Sequence, residues 1–310
     1  MEKKGIILAH SELSDGIVDR LLASSINVLG IHPGGGETAA ELLDELLEYL
    51  ENPEFCRKLD RFYDAGVEIE YELHALEWLL PKSLFAEHPD WFRMNAAGER
   101  TADKNFCPSS KEALDYITDR SEYLARRLGQ RSHIYNIWMD DVTEGKCECE
   151  GCKKLTPSDQ NMLFSRAVLH GLRRYDPKAK QCFLAYHQSI KPPVSVPAED
   201  GIFLEFAPIA RWSLTEPSEH EMEYIRPLLD YFGKEDAKVL EYWVDNSLFS
   251  GWKKPPVKCV PDYAAMKRDL DTYRAHGFEY FTSFGLYLDD EYAALHGDFD
   301  FSEYFDAFER

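Results

Sequence analysis

Asp140 and Asp141 stand side by side just after a strand-like run that closes with Trp138-Met139. Adjacent carboxylates each disfavour ionisation of the other, so one can keep a proton near neutrality while the other stays charged. Glycosidic cleavage asks for that combination: a protonated acid on the leaving oxygen, and a group that attacks or stabilises the anomeric centre. A solvated or helix-capping pair would look the same in sequence, so the surroundings must decide. Shortly afterwards come Cys147, Cys149 and Cys152 in a Cys-x-Cys-x-x-Cys run. Three thiols this close suit a tetrahedral soft-metal site, Zn²⁺ before others, with Cys107 as the expected fourth ligand and Cys182 behind it. Disulfides, free thiols and a redox pair remain open alternatives. Such a metal would pin a long loop beside the acids and is structural; no cofactor is expected for catalysis. Cys56 and Cys259 carry no motif.

Polar and aromatic residues recur where other strand-like runs stop. His10 and His32 end the first two, and the third runs into His74 and Glu77-Trp78. The fifth ends in Tyr186-His187, the sixth carries Glu205 ahead of Arg211-Trp212, and the seventh reads Glu241-Tyr242-Trp243 and then Asp245-Asn246. Acids, imidazoles and rings gathered on one face are what a carbohydrate site needs: sugar C–H faces stack on aromatic rings, while hydroxyls need carboxylate, amide and imidazole partners. Period-two alternation puts Glu241, Trp243 and Asp245 on one face of strand seven, expected to look inward, with Leu240, Tyr242 and Val244 against helices. Glu205 and Glu241 are therefore candidates for a second catalytic carboxylate. Strand three places Glu68, Glu70, Glu72 and His74 on one face, and sequence alone does not explain its lower members.

The elements that must position these residues are eight short β-branched or aromatic runs: 5–9, 26–31, 67–73, 133–139, 181–186, 202–206, 239–244 and 278–284. Helical patterns separate most of them, over about 14–25, 37–65 with a break near Pro53, 110–128, 159–175, 219–231 and 262–275. Strand–helix alternation without a low-complexity linker predicts an α/β chain folded as one single-domain (β/α)8 TIM barrel over 1–310, with a cysteine-rich loop at about 143–157. Chemistry in such a barrel sits where strands end and loops begin, which is where the polar residues fall. Gly34-Gly35-Gly36 has neither the Lys-Ser/Thr of a P-loop nor the order of a dinucleotide fingerprint, and reads as a flexible turn.

The 310 residues carry 35 Lys and Arg against 56 Asp and Glu, a formal charge of −21. An excess this large repels nucleic acid and anionic membrane surfaces, so neither is expected as a partner; the carbohydrate expected as partner comes from the strand-end acids and rings. No apolar run approaches the roughly 20 residues that span a bilayer, and the first apolar run is too short for a signal peptide, so a cytoplasmic location is expected. Seven cysteines, an odd number, argue against a secreted disulfide scaffold. Nothing in the sequence fixes an oligomeric state.

Asn105-Phe-Cys-Pro-Ser-Ser110, Trp138-Met-Asp-Asp141 and Cys147-Glu-Cys-Glu-Gly-Cys152 together resemble the domain of unknown function 4838 family, over roughly residues 67–288. That resemblance implies a barrel glycoside hydrolase of the hexosaminidase and α-glucuronidase kind. The acid pair is also similar to that of family 84 and, less closely, family 20 β-N-acetylhexosaminidases, where the substrate's own acetamido oxygen attacks the anomeric carbon. Carried over, Asp140 would polarise the acetamido group and Asp141 would act as general acid/base. Family 20 has Asp-Glu here, a departure that leaves the sugar open. The leading expectation is a hexosaminide-directed glycosidase, with a retaining, substrate-assisted route. An α-glucuronidase-like hydrolase using Glu205 or Glu241 and a non-catalytic carbohydrate-binding barrel are the alternatives. A metallohydrolase built on His10, His32, His74 and His187 ranks last, because no His-x-His follows strand one.

Overall fold

The computed structural model describes residues 2–212 and 220–309. Eight parallel strands close on themselves in chain order: β1 Lys3–Leu8, β2 Val28–Ile31, β3 Glu68–His74, β4 Ile134–Trp138, β5 Lys180–Ala185, β6 Ile202–Phe206, β7 Lys238–Glu241 and β8 Tyr280–Phe284. The expected single-domain (β/α)8 barrel is the observed fold. Around it run α1 Asp15–Leu22, α2 Ala39–Tyr49, α3 Pro53–Asp64, α4 Leu76–Leu79, α5 Lys111–Leu128, α6 Pro157–Tyr175, α7 Ile225–Phe232, α8 Asn246–Phe249, α9 Tyr263–His276, α10 Asp290–His296 and α11 Phe301–Asp306. The expected start of a helix at Glu219 lies outside the described residues; a 3₁₀ turn over His220–Tyr224 leads into α7. No helix among the described residues is long and apolar enough to cross a membrane.

Local chemistry sets the helix boundaries. Ser14 Oγ accepts from Ile17 N at 3.2 Å to cap α1, and Asn52 caps α3, which opens on Pro53. Thr156 and Asp159 form a reciprocal capping box at α6. Gly129 and Gly277 end α5 and α9 in the left-handed conformation that a Cβ disfavours. Ile17, Val18, Leu43, Leu47, Leu124 and Leu270 from four of these helices are buried in the layer that packs on the barrel's outer face.

Strand alternation sorts the barrel into two surfaces. Ile7, Ile134, Cys182, Leu184, Phe203, Leu240 and Phe284 cluster inside. Below them lies an ionic layer. Lys238 Nζ stands 3.3 Å from Glu70, 2.6 Å from Glu72 and 2.9 Å from Glu205, and all four side chains are fully buried. Asn136 Nδ2 also donates to Glu70, at 3.0 Å. This explains Glu70 and Glu72 on strand three, which face a cation 166 residues or more away in the chain, while Glu68 pairs with Lys3 at 2.6 Å. Burial works against the charge on Lys238, but the three surrounding carboxylates overcome it and raise its pKa. Burial and the charge of Glu205 push Glu72 well above the usual carboxylate range. The crowding of carboxylates around one ammonium thus favours a proton on Glu72.

On β7 the observed phase is the reverse of the expected one. Lys238, Leu240 and Tyr242 point inward, while Glu241 and Trp243 point out toward α9. Glu241 accepts from Arg211 at 2.9 Å, from Trp212 Nε1 at 2.8 Å and from the Tyr273 hydroxyl. Asp269 accepts from Trp243 Nε1 at 3.0 Å and pairs with Arg211. Alternation separates two faces without saying which one is enclosed. Here a buried carboxylate found its cation and donors on the outer side.

Candidate active site

A cavity of about 500 Å³ opens at the C-terminal ends of the strands. Its floor is aromatic. Trp138 from β4 lies with its ring centroid 4.9 Å from His74 and 5.8 Å from His32; Phe284 is 5.1 Å from His32 and 5.6 Å from Tyr242. The indole N–H of Trp138 donates to Glu205 at 2.8 Å, which ties the floor to the ionic layer beneath. His32 Nδ1 lies 2.7 Å from the Glu72 carbonyl and His74 Nδ1 2.7 Å from the Met139 carbonyl. A carbonyl can only accept, so both rings carry their proton on Nδ1. Burial pushes His32 down to about 4, so it is neutral at pH 7 with Nε2 as an acceptor.

Asp141 faces this cavity, and its Oδ1 accepts from the Tyr186 hydroxyl at 3.0 Å. Burial, followed by the charge of Asp141, raises the Tyr186 phenol well above its ordinary pKa, which keeps it a donor. The Gly34–Gly36 segment forms the wall beside the carboxylate. A Cβ on Gly35 would come within 2.8 Å of Asp141 Oδ2 and 3.3 Å of His74 Cδ2. The glycine run is thus a close-approach wall as well as a turn.

Two further carboxyls line the same cavity. Asp245, just past β7, accepts at a single oxygen from Ser247 N, Ser247 Oγ and Leu248 N at 3.1, 2.6 and 3.2 Å. Burial raises it to about 6 despite those donors. Glu12 accepts from Ala9 N at 3.0 Å and Tyr287 N at 2.7 Å, and burial raises it to about 7. No Lys or Arg lines the cavity among the described residues.

The expected site residues divide. His32, His74, Trp138, Asp141, Tyr186, Tyr242 and Asp245 meet at the cavity. Asp140 turns away into a smaller adjoining recess, where Oδ2 accepts from Asn105 N at 2.6 Å and burial raises its pKa. The two neighbouring acids therefore do not share one pocket. Glu205 lies below the floor, and Glu241, Arg211, Trp212 and Trp243 belong to the outer network with α9. Asn246 donates to the Val257 carbonyl at 2.9 Å. His10 is buried edge-on to Tyr49, 4.7 Å between centroids. Glu77 pairs with Lys82 at 2.6 Å, and Trp78 donates to Asp44 under the stacked Arg120. His187 sits 4.0 Å from the Tyr186 ring, outside the cavity lining. Glu12, Gly34–Gly36 and Trp252 carry no site signal in sequence reasoning, whereas Tyr287 follows the eighth strand-like run as the other polar strand-end residues follow theirs. Reading four residues past β1 reaches Glu12, whereas Trp252 sits eleven residues beyond β7 in a stretch with no strand-end signal.

The cysteines converge. The Sγ atoms of Cys107, Cys147, Cys149 and Cys152, all buried, lie within 4.8 Å of one another. Cys107 stands 3.6 Å from Cys149 and 3.9 Å from Cys152. A tetrahedron of thiolates about 2.3 Å from Zn²⁺ has edges of about 3.8 Å, so the donor set fits that ion. Cys182 is inside the barrel and takes no part.

The sequence profile of the family described as "Domain of unknown function (DUF4838)" matches residues 51–304. No curated protein sequence matches the chain. Among solved structures, the cold-adapted β-galactosidase of Rahnella sp. R3 superposes with a TM-score of 0.58 at 13% identity, covering 99% of this chain and 55% of its own. The chain thus spans about half the length of that enzyme. The PgaB (BpsB) glycoside hydrolase domain from Bordetella bronchiseptica gives 0.54 at 11% identity over 96% of both chains, and the catalytic domain of Thermobifida fusca endoglucanase Cel5A gives 0.51 at 11% over 93% and 79%. Identities this low establish the shared barrel.

Proposed function

The chain belongs to the DUF4838 family, and from that premise we propose that it is a glycoside hydrolase whose catalytic carboxyls are Asp141 and Asp245. The observation that carries this reading is Asp141 itself, a carboxylate held by a phenol over a floor of aromatic rings. Asp245, from the end of β7, complements it. One of its oxygens is fixed by three donors, and a pKa near 6 lets it hold a proton for the departing glycosidic oxygen. Asp141 then acts at the anomeric centre, directly or by way of a 2-acetamido group on the sugar. Tyr186 keeps Asp141 oriented, and the aromatic floor takes the apolar face of the ring and excludes water.

The charge of the cavity favours a neutral or N-acetylated hexose over a uronic acid. With no facing Lys or Arg among the described residues, the cavity offers a substrate carboxylate no counter-charge. This favours the hexosaminide reading over the α-glucuronidase alternative. The test is an aryl-glycoside panel of hexosaminides, hexosides and uronides. Asp141→Asn and Asp245→Asn should each lower kcat by about 10²–10⁴-fold, the range of a lost acid/base group. Full activity in Asp141→Asn removes it from the mechanism, and a wild type that binds sugars without turnover favours a carbohydrate-binding barrel.

The four-cysteine cluster is proposed to hold one structural Zn²⁺. Cys107 precedes α5, and the other three lie in the loop that leaves Asp140-Asp141, so the ion would clamp that loop to its neighbour. It supplies no step of the reaction.

A further inference from the structure

One large ring at the cavity mouth is left unused by the floor. Trp252 lines the cavity, yet it is 65% exposed and stacks on no other ring among the described residues. The segment that carries it is firmly held. Trp252 N donates to Ser247 O at 2.7 Å, Asn246 Nδ2 to Val257 O at 2.9 Å, and His296 Nε2 to Pro256 O at 2.9 Å. Lys254 pairs with Asp289 at 2.7 Å and Glu291 at 3.0 Å. An exposed indole on a pinned loop is a presented surface, and burying such rings stabilises.

Tyr287, on the loop after β8, lines the same mouth and is joined to the Trp252 loop through Lys254, whose Nζ is 5.0 Å from the phenol ring centroid. Both aromatics have left-handed backbones, with φ of +55° at Trp252 and +66° at Tyr287. Bulky L-residues rarely adopt that region, and they keep it where surrounding structure fixes a side chain for use. Lys254 is neutralised by its two acids, so this rim offers ring faces more than charge.

We propose that Trp252 and Tyr287 form an outer subsite that stacks the second pyranose of an oligosaccharide or glycoconjugate, beyond the sugar seated on the Trp138 floor. This rests on the glycosidase reading and adds to it a substrate of at least two sugar units. A pyranose presents an apolar C–H face of about the size of an indole, and aromatic stacking of this kind requires an exposed, immobilised ring.

The test is calorimetric titration of the whole chain with matched sugars: glucose and cellobiose, galactose and lactose, N-acetylglucosamine and its β-1,4-linked dimer. Wild type should bind one disaccharide roughly tenfold more tightly than its monosaccharide. Trp252→Ala should remove most of that advantage, leaving the monosaccharide affinity within about twofold, and Trp252→Phe should restore part of it. An unchanged melting temperature checks that the loop variants are folded. The inference is overturned if Trp252→Ala leaves the disaccharide advantage intact or weakens both sugars equally. A wild type that binds monosaccharide and disaccharide alike overturns the outer subsite alone. A wild type that binds none of these sugars sinks the glycosidase reading and the subsite with it.

Discussion

Asp141 is held by the hydroxyl of Tyr186 on one side, and on another it occupies space that only a glycine at position 35 leaves open. Gly35 has extended backbone angles, φ −119° and ψ −167°, which any residue adopts. What it cannot carry is a side chain, because a Cβ would press on Asp141 Oδ2 at 2.8 Å. Gly35→Ala is therefore expected to fold normally and to displace the carboxylate. A shift of that size in a reacting group is expected to lower kcat about 10²-fold. Circular dichroism and a melting curve alongside the kinetics separate this from unfolding; an unaffected kcat would show that Asp141 tolerates displacement. Asp140 is the instructive contrast. Its proximity in sequence to Asp141 suggested a shared task, but a peptide bond turns successive side chains apart, and Asn105 captured it.

The loop between β4 and α6 is the element on which the site depends most. It starts at the acids, passes through Cys147, Cys149 and Cys152, and is tied to the preceding loop by Cys107 and by Asn105, which also donates through Nδ2 to the Gly145 carbonyl at 3.2 Å. Holding such a loop without a helix or strand of its own calls for a cross-link, and a metal held by the four cysteines would supply one. Elemental analysis should find one zinc per chain, released by a chelator or by Cys147→Ser. Metal loss should lower the melting temperature and reduce activity together, since thiolate clustering without the cation is electrostatically unfavourable. Retention of both stability and activity in metal-free protein would refute a structural role for the ion.

At the scale of the whole molecule, stability should decline as pH rises through neutrality. Burial raises Glu12, Glu221 and Glu241 to about 7 and Asp245 to about 6. These groups bind protons more tightly folded than unfolded. Their stabilisation is complete below the unfolded values of 4.5 and 3.8 and is lost as pH rises to about 7. Asp103, lowered to about 2 first by Arg93, acts oppositely and loses its contribution only as pH falls below 3.8. Self-repulsion in a chain of formal charge −21 adds to the decline as more acids ionise. The melting temperature should therefore peak on the mildly acidic side and fall between about pH 5 and pH 8. Glu241→Gln should flatten that slope because it removes the titration, at the cost of one acceptor: its single carbonyl oxygen can serve Arg211 and Tyr273 or Trp212, but not both sides. A slope unchanged in Glu241→Gln would exclude Glu241 as a contributor.

The sequence by itself determined the barrel, because strand alternation, helix caps and glycine stops are local and repeat in register along the chain. It also marked the strand ends as the place of chemistry and picked out Cys147, Cys149 and Cys152, whose spacing confines them to one loop, while the fold brought Cys107 to them. Only the tertiary structure decided which of the marked residues meet. Glu241 and Tyr242 are neighbours whose faces alternation distinguishes, but the choice of inside and outside rested on Arg211, Tyr273 and Asp269, brought by other elements. The acids of strand three likewise made sense only once Lys238 stood across the barrel from them. A buried charge is stable wherever a partner is, and partners distant in sequence are found only when the chain closes.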